Sequence, residues 1–414
     1  MADEFQIAIS GLNAAAADLK VTGNNIANSN TTGFKESRAE FVDVFAENFG
    51  AVSQTAVGEG VRLARVAQQF GQGGIDVTDN AFDLAINGGG FFNLRATDGG
   101  IVYSRAGAFQ LDSTGVVVNN LSQRLQVFPS INNSVTNFNT GALQDLTIVT
   151  TNNAPSATTT ASIGANLNAS DGINAAVFDP ADATTFNDST AMSVFDSLGN
   201  SHTASFFFKK TAVNTWEVHT RVAGIDPGVG QSPQTLTFDS TGVLTAPVGG
   251  TLAAITIPSA ALGTGSNDIV FAVDVSGLTQ FGSAFAVNNL QQDGFTTGRL
   301  NSIDIDSEGV VFARFNNGQA NALGKVALTD FANEQGLSKV GNTNWIESTE
   351  SGVPINGEAG TGNFGLIQSG ALESSNTDLA SELVNLILAQ RNFQANSKVI
   401  QTADAITQTI INIR

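Results

Sequence analysis

His202 and His219 are the only imidazoles in the 414 residues, and there is no cysteine. A histidine can act as a general base or a metal ligand, but these two stand 17 positions apart in strand-like surroundings, with no HExxH or Cys/His spacing nearby. Serines around His202 make a Ser-His-Asp set arithmetically available, yet no nucleophile-elbow pattern accompanies them. Gly88-Gly89-Gly90 resembles a phosphate cradle but lacks GxGxxG and the Lys-Ser/Thr of a P-loop. It runs into Phe91-Phe92-Asn93-Leu94, a strand pattern, so close strand packing or a hairpin turn is expected there. The acidic stretch Asp304 to Gly309 misses the 12-residue calcium loop with its terminal Glu. These residues point away from catalysis, and no cofactor or metal site is expected.

The charge balance excludes another class. Lys plus Arg number 18 against 37 Asp plus Glu, a formal net charge of -19. Such a surface repels phosphate backbones, which argues against a nucleic-acid partner. The absence of cysteine excludes disulfides and thiolate chemistry and fits work outside the cell. Met1-Ala2-Asp3-Glu4 is not the basic start of a secretory signal peptide, and no apolar run reaches membrane-spanning length, so neither a cleaved leader nor membrane insertion is expected.

With little chemistry to position, the elements themselves carry the information. Phe5, Ile9, Leu12, Ala16, Leu19, Gly23 and Ile26 alternate at spacings of four and three, the seam of a heptad helix over residues 3 to 28. Leu379, Leu383, Leu386, Gln390, Phe393, Ser397 and Ile400 repeat the pattern near the other end, and Ala403, Ile406 and Ile410 continue it. Apolar helical faces of this kind need partners, which are expected to be each other and the same helices of neighbouring copies.

Between the helices the period changes to two. Phe82 to Ile86, Phe91 to Leu94 and Ile101 to Tyr103 read as antiparallel strands, with Asp98-Gly99-Gly100 as a hairpin turn. A loose repeat recurs at Asp112-Ser113-Thr114-Gly115, Asp239-Ser240-Thr241-Gly242 and Asp306-Ser307-Glu308-Gly309, with a weaker copy at Asp196-Ser197-Leu198-Gly199. Each predicts a hairpin turn with a left-handed glycine. Residues 36 to 48 read as a short helical piece followed by an extended linker.

The expected fold is therefore multidomain α+β, with paired terminal helices around nested, mainly antiparallel β domains. Residues 1–28 plus 372–414 form the helical core, 29–70 plus 357–371 the connecting linker, 71–145 plus 276–356 a split β domain, and 146–275 an inserted β domain. Gly357, Gly360, Gly362 and Gly365 are candidate hinge positions because glycine absorbs backbone changes.

At this point a family resemblance enters. Gly11-Leu12-Asn13-Ala14, then Asn24, Asn25, Ile26, Ala27 and Asn28 followed by Thr32, Gly33, Phe34 and Lys35, resemble the N-terminal signature of bacterial flagellar rod and hook proteins. Ser369 to Leu379, Glu382-Leu383-Val384 and Gln390 to Lys398 resemble the matching C-terminal signature. Asp83 to Phe92 and Tyr103 to Phe109 look like the family's first β domain. Ser276 to Gly282 and Gln292 to Gly298 are similar to the hook branch in particular. Phe393 and Ser397 stand where the family often has Tyr and Ala.

The resemblance implies a non-enzymatic homo-polymer outside the cell, a curved tube that passes torque from motor to filament. It also implies export through the flagellar type III apparatus and contact with rod, hook-cap and hook-filament junction proteins. The alternative from another class is a secreted β-rich binding or adhesion module whose helices close a monomeric core.

Overall fold

The computed structural model describes residues 2–44, 58–131, 134–148 and 151–412, with helix side chains described from Phe5 to Thr409. Two helices, Ala2–Ala27 and Leu379–Asn412, flank an otherwise antiparallel-rich β chain, giving the expected α+β architecture. No described helix is long and apolar enough to cross a membrane. The chain divides into two compact units: 1–150 with 302–314 and 320–414, and 151–301 with 315–319.

In the first unit, Phe91–Arg95 pairs with Ile101–Ser104 through the predicted Asp98 turn, and also with Arg124–Pro129 and Ala320–Asp330. Phe91, Phe92, Leu94, Leu125, Val127, Phe128, Val326 and Leu328 are all buried, a near-continuous apolar run typical of central strands covered on both faces. Phe91 centres an aromatic cluster with Phe70, Phe331 and Trp345, each ring 5.6 to 6.2 Å away and edge-on or tilted. Leu84–Asn87 does not fold back on Phe91–Arg95 but pairs with Leu366–Ser369. Gly88 and Gly89 allow this close packing, because a Cβ at Gly88 would lie 2.7 Å from the Gly365 Cα.

The second unit holds a five-stranded antiparallel meander, Asp188–Phe195, Ser201–Ala212, Thr215–Val222, Gln234–Phe238 and Leu244–Ala246. It also holds a mixed sheet in which Thr160–Asn168 runs parallel to Ile269–Asp274 and Thr279–Phe281 and antiparallel to Ala286–Gln292. Phe206 and Phe208 enter the core while Phe207 between them does not, the alternation of a half-buried strand. Their cluster includes Trp216, Phe238, Ile255, Phe271 and Leu167.

All four Asp-Ser-x-Gly segments form the same turn. In each, the aspartate Oδ1 accepts two backbone amides, from Thr114 and Val116, Leu198 and Asn200, Thr241 and Val243, and Glu308 and Val310. The glycines sit at φ 81 to 85°, a region other residues avoid.

Two expectations need correction. Residues 37–44 form a strand, not a helix: Ser37–Val44 pairs with Gly60–Gln68, with a register shift between Glu40 and Phe41. The remainder of the expected helical piece, 45 to 48, lies outside the described residues. The C-terminal helix begins at Leu379, just after the polar run Ser375-Asn376-Thr377, and Ala371–Glu373 before it is a strand against Ile75–Val77. The inserted unit extends to 301, beyond 275, because Thr279–Phe281 and Ala286–Gln292 hydrogen-bond to Thr160–Asn168.

Candidate functional site

The two terminal helices pack antiparallel. Asn25 Nδ2 donates to Glu382 Oε2 at 3.4 Å near one end, and a Cβ on Gly11 would lie 2.7 Å from Asn396 Oδ1 further along. The most buried line of the first helix is Ala8, Ala15, Thr22 and Asn25, one position before the heptad residues Ile9, Ala16, Gly23 and Ile26. Small side chains line this contact because the helix must approach both the second helix and the paired strands Ser37–Val44 and Gly60–Gln68. Phe5, Leu12, Leu19 and Ile26 are half-buried and Ile9 is exposed.

On the C-terminal helix, Glu382 and Ala389 are buried, and Leu386, Phe393 and Ile400 are half-buried toward the first helix. Leu379, Leu383, Val384, Ile387 and Leu388 remain 46 to 57% exposed, and Ile406 is 50% exposed. The side chain of Ile410 lies outside the described residues. The first three turns of this helix are thus apolar on the face turned away from its partner, a pattern of helices that are covered on all sides.

The helices are fixed to the first β unit by a buried polar knot that periodicity could not reveal. Lys35 Nζ donates to Glu373 Oε1 at 2.6 Å and to the Gly71 carbonyl at 2.7 Å. Arg105 Nη1 approaches the other Glu373 oxygen at 3.4 Å, and the Gly73 amide donates to Oε1 at 2.9 Å. Burial lowers the Lys35 pKa, opposed by the carboxylate of Glu373. Around this core, Asn25 exchanges two hydrogen bonds with the Ser37 backbone, and Asn376 accepts from the Glu36 amide while donating to the Gln69 and Gly71 carbonyls. Gly33 donates its amide to the Glu373 carbonyl, and Phe34 is buried. Asn24 and Ala27 are exposed on the helix, and Asn28 and Thr32 are half-buried in the turn after it.

The candidate hinge glycines lie in the first unit. Gly357 is in the strand Ile355–Glu358 opposite Leu328, Gly360 and Gly362 have positive φ in the following turn, and the Gly365 amide donates to the Gly89 carbonyl.

The residues weighed for chemistry serve the fold. His202 Nε2 is 3.2 Å from Asp196 Oδ2, the aspartate of a turn. His219 stacks on Phe178 at 3.9 Å, and burial lowers its pKa. Asp304 Oδ2 takes two bonds from Arg314, and Asp306 caps its turn. Among the described residues no group of His, Asp and Glu could hold a metal ion.

Four family descriptions match along the chain: "Flagella basal body rod protein" over residues 5–35, "Flagellar hook protein FlgE/F/G D1 domain" over 85–166, "Flagellar basal body protein FlaE D2 domain" over 166–295, and "Flagellar basal body rod FlgEFG protein C-terminal" over 368–413. The chain is 38% identical to the flagellar hook protein FlgE of Escherichia coli over 99% of its own length and 100% of the relative's. It is 38% identical to that of Salmonella typhimurium, again over 99% and 100%, and 33% identical to that of Rhizobium meliloti over 98% and 97%. The crystal structure of Helicobacter pylori flagellar hook protein FlgE2 superposes with a TM-score of 0.53 at 16% identity, covering 72% of this chain and 100% of that one, which shows a shared fold. With near-complete coverage at that identity, and both terminal motifs matched, the chain belongs to the flagellar hook protein FlgE family.

Proposed function

We propose that the chain is the subunit of an extracellular helical tube, the flagellar hook, acting as a flexible joint that passes torque from the rod to the filament. The observation that carries this is the uncovered apolar face of the C-terminal helix, Leu379, Leu383, Val384, Ile387 and Leu388. Covering the exposed half of each such side chain contributes roughly 1 kcal/mol. A contact made by different faces of successive copies need not close on itself, so it builds a helix of subunits, not a ring.

On this reading the chain leaves the cell unfolded through the flagellar type III apparatus, and the ends of its polymer meet rod, hook-cap and hook-filament junction proteins. The glycine-rich stretch 357–365 is the proposed place where each subunit adjusts as the tube rotates. The domain assignment is part of the proposal, with the paired terminal helices lining the channel of the tube.

The test is assembly of the full-length chain under salting-out conditions, followed by sedimentation and electron microscopy. Tubes are expected from the native chain and none from Ile387→Asp. A native chain that stays monomeric under all conditions would refute the proposal.

A further inference from the structure

We propose that a polar cavity in the first unit receives a carboxylate side chain from a second copy of the chain, an inference that rests on the assembly reading above. The cavity encloses about 510 Å³ between the end of the N-terminal helix, the Thr31-Thr32 turn, residues 119–121 and the hairpin at 342–344. Asn24, Asn28, Asn120 and Asn342 contribute amides to its lining beside the apolar Phe34, Ala106, Ala108 and Leu121, and it contains no Asp or Glu. That is notable in a chain with 37 acidic and 18 basic residues.

Lys339 is the only charged group in the lining. Its Nζ stands 5.1 Å from the centroid of the Phe34 ring. Among the described residues it has neither an ion-pair partner nor a hydrogen-bond acceptor, which is also true of Lys20, Arg62, Arg299 and Arg391, but of these cations only Lys339 lines the cavity. Lys339 is exposed as a residue, yet desolvation lowers its pKa. A partly desolvated cation at the mouth of an amide-lined cavity favours an anionic occupant.

The rim of the cavity is strained. Asn342 and Thr343 sit at φ 52° and 57°, and a β-branched residue in that region is an outlier. Ser104 Oγ donates to the Thr343 carbonyl at 2.9 Å and holds the turn in place. Strain of this kind persists where the surroundings over-determine it, and it clusters at binding sites.

One ammonium balances the single charge of a carboxylate, whereas the larger charge of a phosphate would be left partly uncompensated. The second copy follows from charge. Subunits carrying -19 each repel on contact, and an unpaired cation set in an acid-free socket is where a neighbour's Asp or Glu is accepted.

The experiment is zero-length carbodiimide crosslinking of polymer made from mixed isotopically heavy and light full-length chains, read by mass spectrometry. The expected result is Lys339 joined to an Asp or Glu in heavy-light pairs, and no such product from monomer. Lys339→Gln should raise the critical concentration for assembly roughly tenfold, the size of one interfacial ion pair. Lys339→Arg should recover much of that, and thermal unfolding of the monomer should not move for either variant. A normal native polymer without the crosslink, Lys339→Glu assembling at the native concentration, or a crosslink only to a different flagellar protein in isolated hooks would each overturn the socket. A native chain that never assembles overturns the assembly reading itself.

Discussion

The ammonium of Lys35 lies 2.6 Å from Oε1 of Glu373, with both side chains fully buried and the two residues 338 positions apart in sequence. This pair ties the segment leaving the first helix to the segment entering the last. Glu373→Gln would leave Lys35 and Arg105 buried without their anion, a change expected to cost about 3–5 kcal/mol. Arg65→Gln, which breaks an exposed pair with Glu40, should cost under about 1 kcal/mol. Urea unfolding followed by Trp345 fluorescence, in a chain carrying Trp216→Phe, reads the first unit alone. Equal losses for the two variants would show that the knot is not a stabilising centre.

The turn glycines differ in what surrounds them, and that difference predicts a ranking. Gly242 and Gly249 have φ of 81° and 83°, but a Cβ at Gly242 would lie 2.4 Å from the Gln280 carbonyl, while one at Gly249 meets nothing within 4 Å. Gly249→Ala should cost roughly 1–2 kcal/mol, the left-handed backbone penalty alone. Gly242→Ala should cost clearly more, because the Gln280 amide also donates to the Gly242 carbonyl and the strands cannot separate freely. Unfolding of the second unit by Trp216 fluorescence, in a Trp345→Phe chain, would show whether the order holds.

Asp188 predicts a pH dependence. Burial, reinforced by the neighbouring Asp171 carboxylate, pushes its pKa up to about 6 from 3.8. The folded second unit thus binds this proton more tightly than the unfolded chain does. That contribution is complete below about pH 4 and is lost as pH rises through about 6. Asp188→Asn should flatten the decline between those values and leave the second unit at least as stable as the native one at pH 8. Thermal melts across that range would count against the assignment if the native and variant curves ran parallel.

Position on the C-terminal helix should separate folding from assembly. Ala389 is buried against the first helix, whereas Ile387 is half exposed on the opposite face. Ala389→Asp should loosen the helix pair by several kcal/mol through an unpaired buried carboxylate. Ile387→Asp should leave amide-exchange protection of the monomer unchanged and abolish tubes. If both variants assembled normally, the exposed face would not be a subunit contact.

Local chemistry was legible in the residues alone. The Asp-x-x-Gly turns were readable because an aspartate, two amides and one left-handed glycine lie within five residues and need nothing from elsewhere. The two helices were readable because apolar spacing is a property of the helix itself. The strand at 37–44 was not, because Phe41 and Phe45 are four residues apart, a helical spacing, and only pairing with Gly60–Gln68 selects the extended form. The same holds for the line of closest helix contact, which fell on Ala8, Ala15 and Thr22 beside the large apolar residues once two partners had to be accommodated at once. Lys35 and Glu373 carry no mark in sequence that they meet. Their pairing depends on the whole first unit bringing the two ends of the chain together, a long-range contact that only the tertiary structure decides.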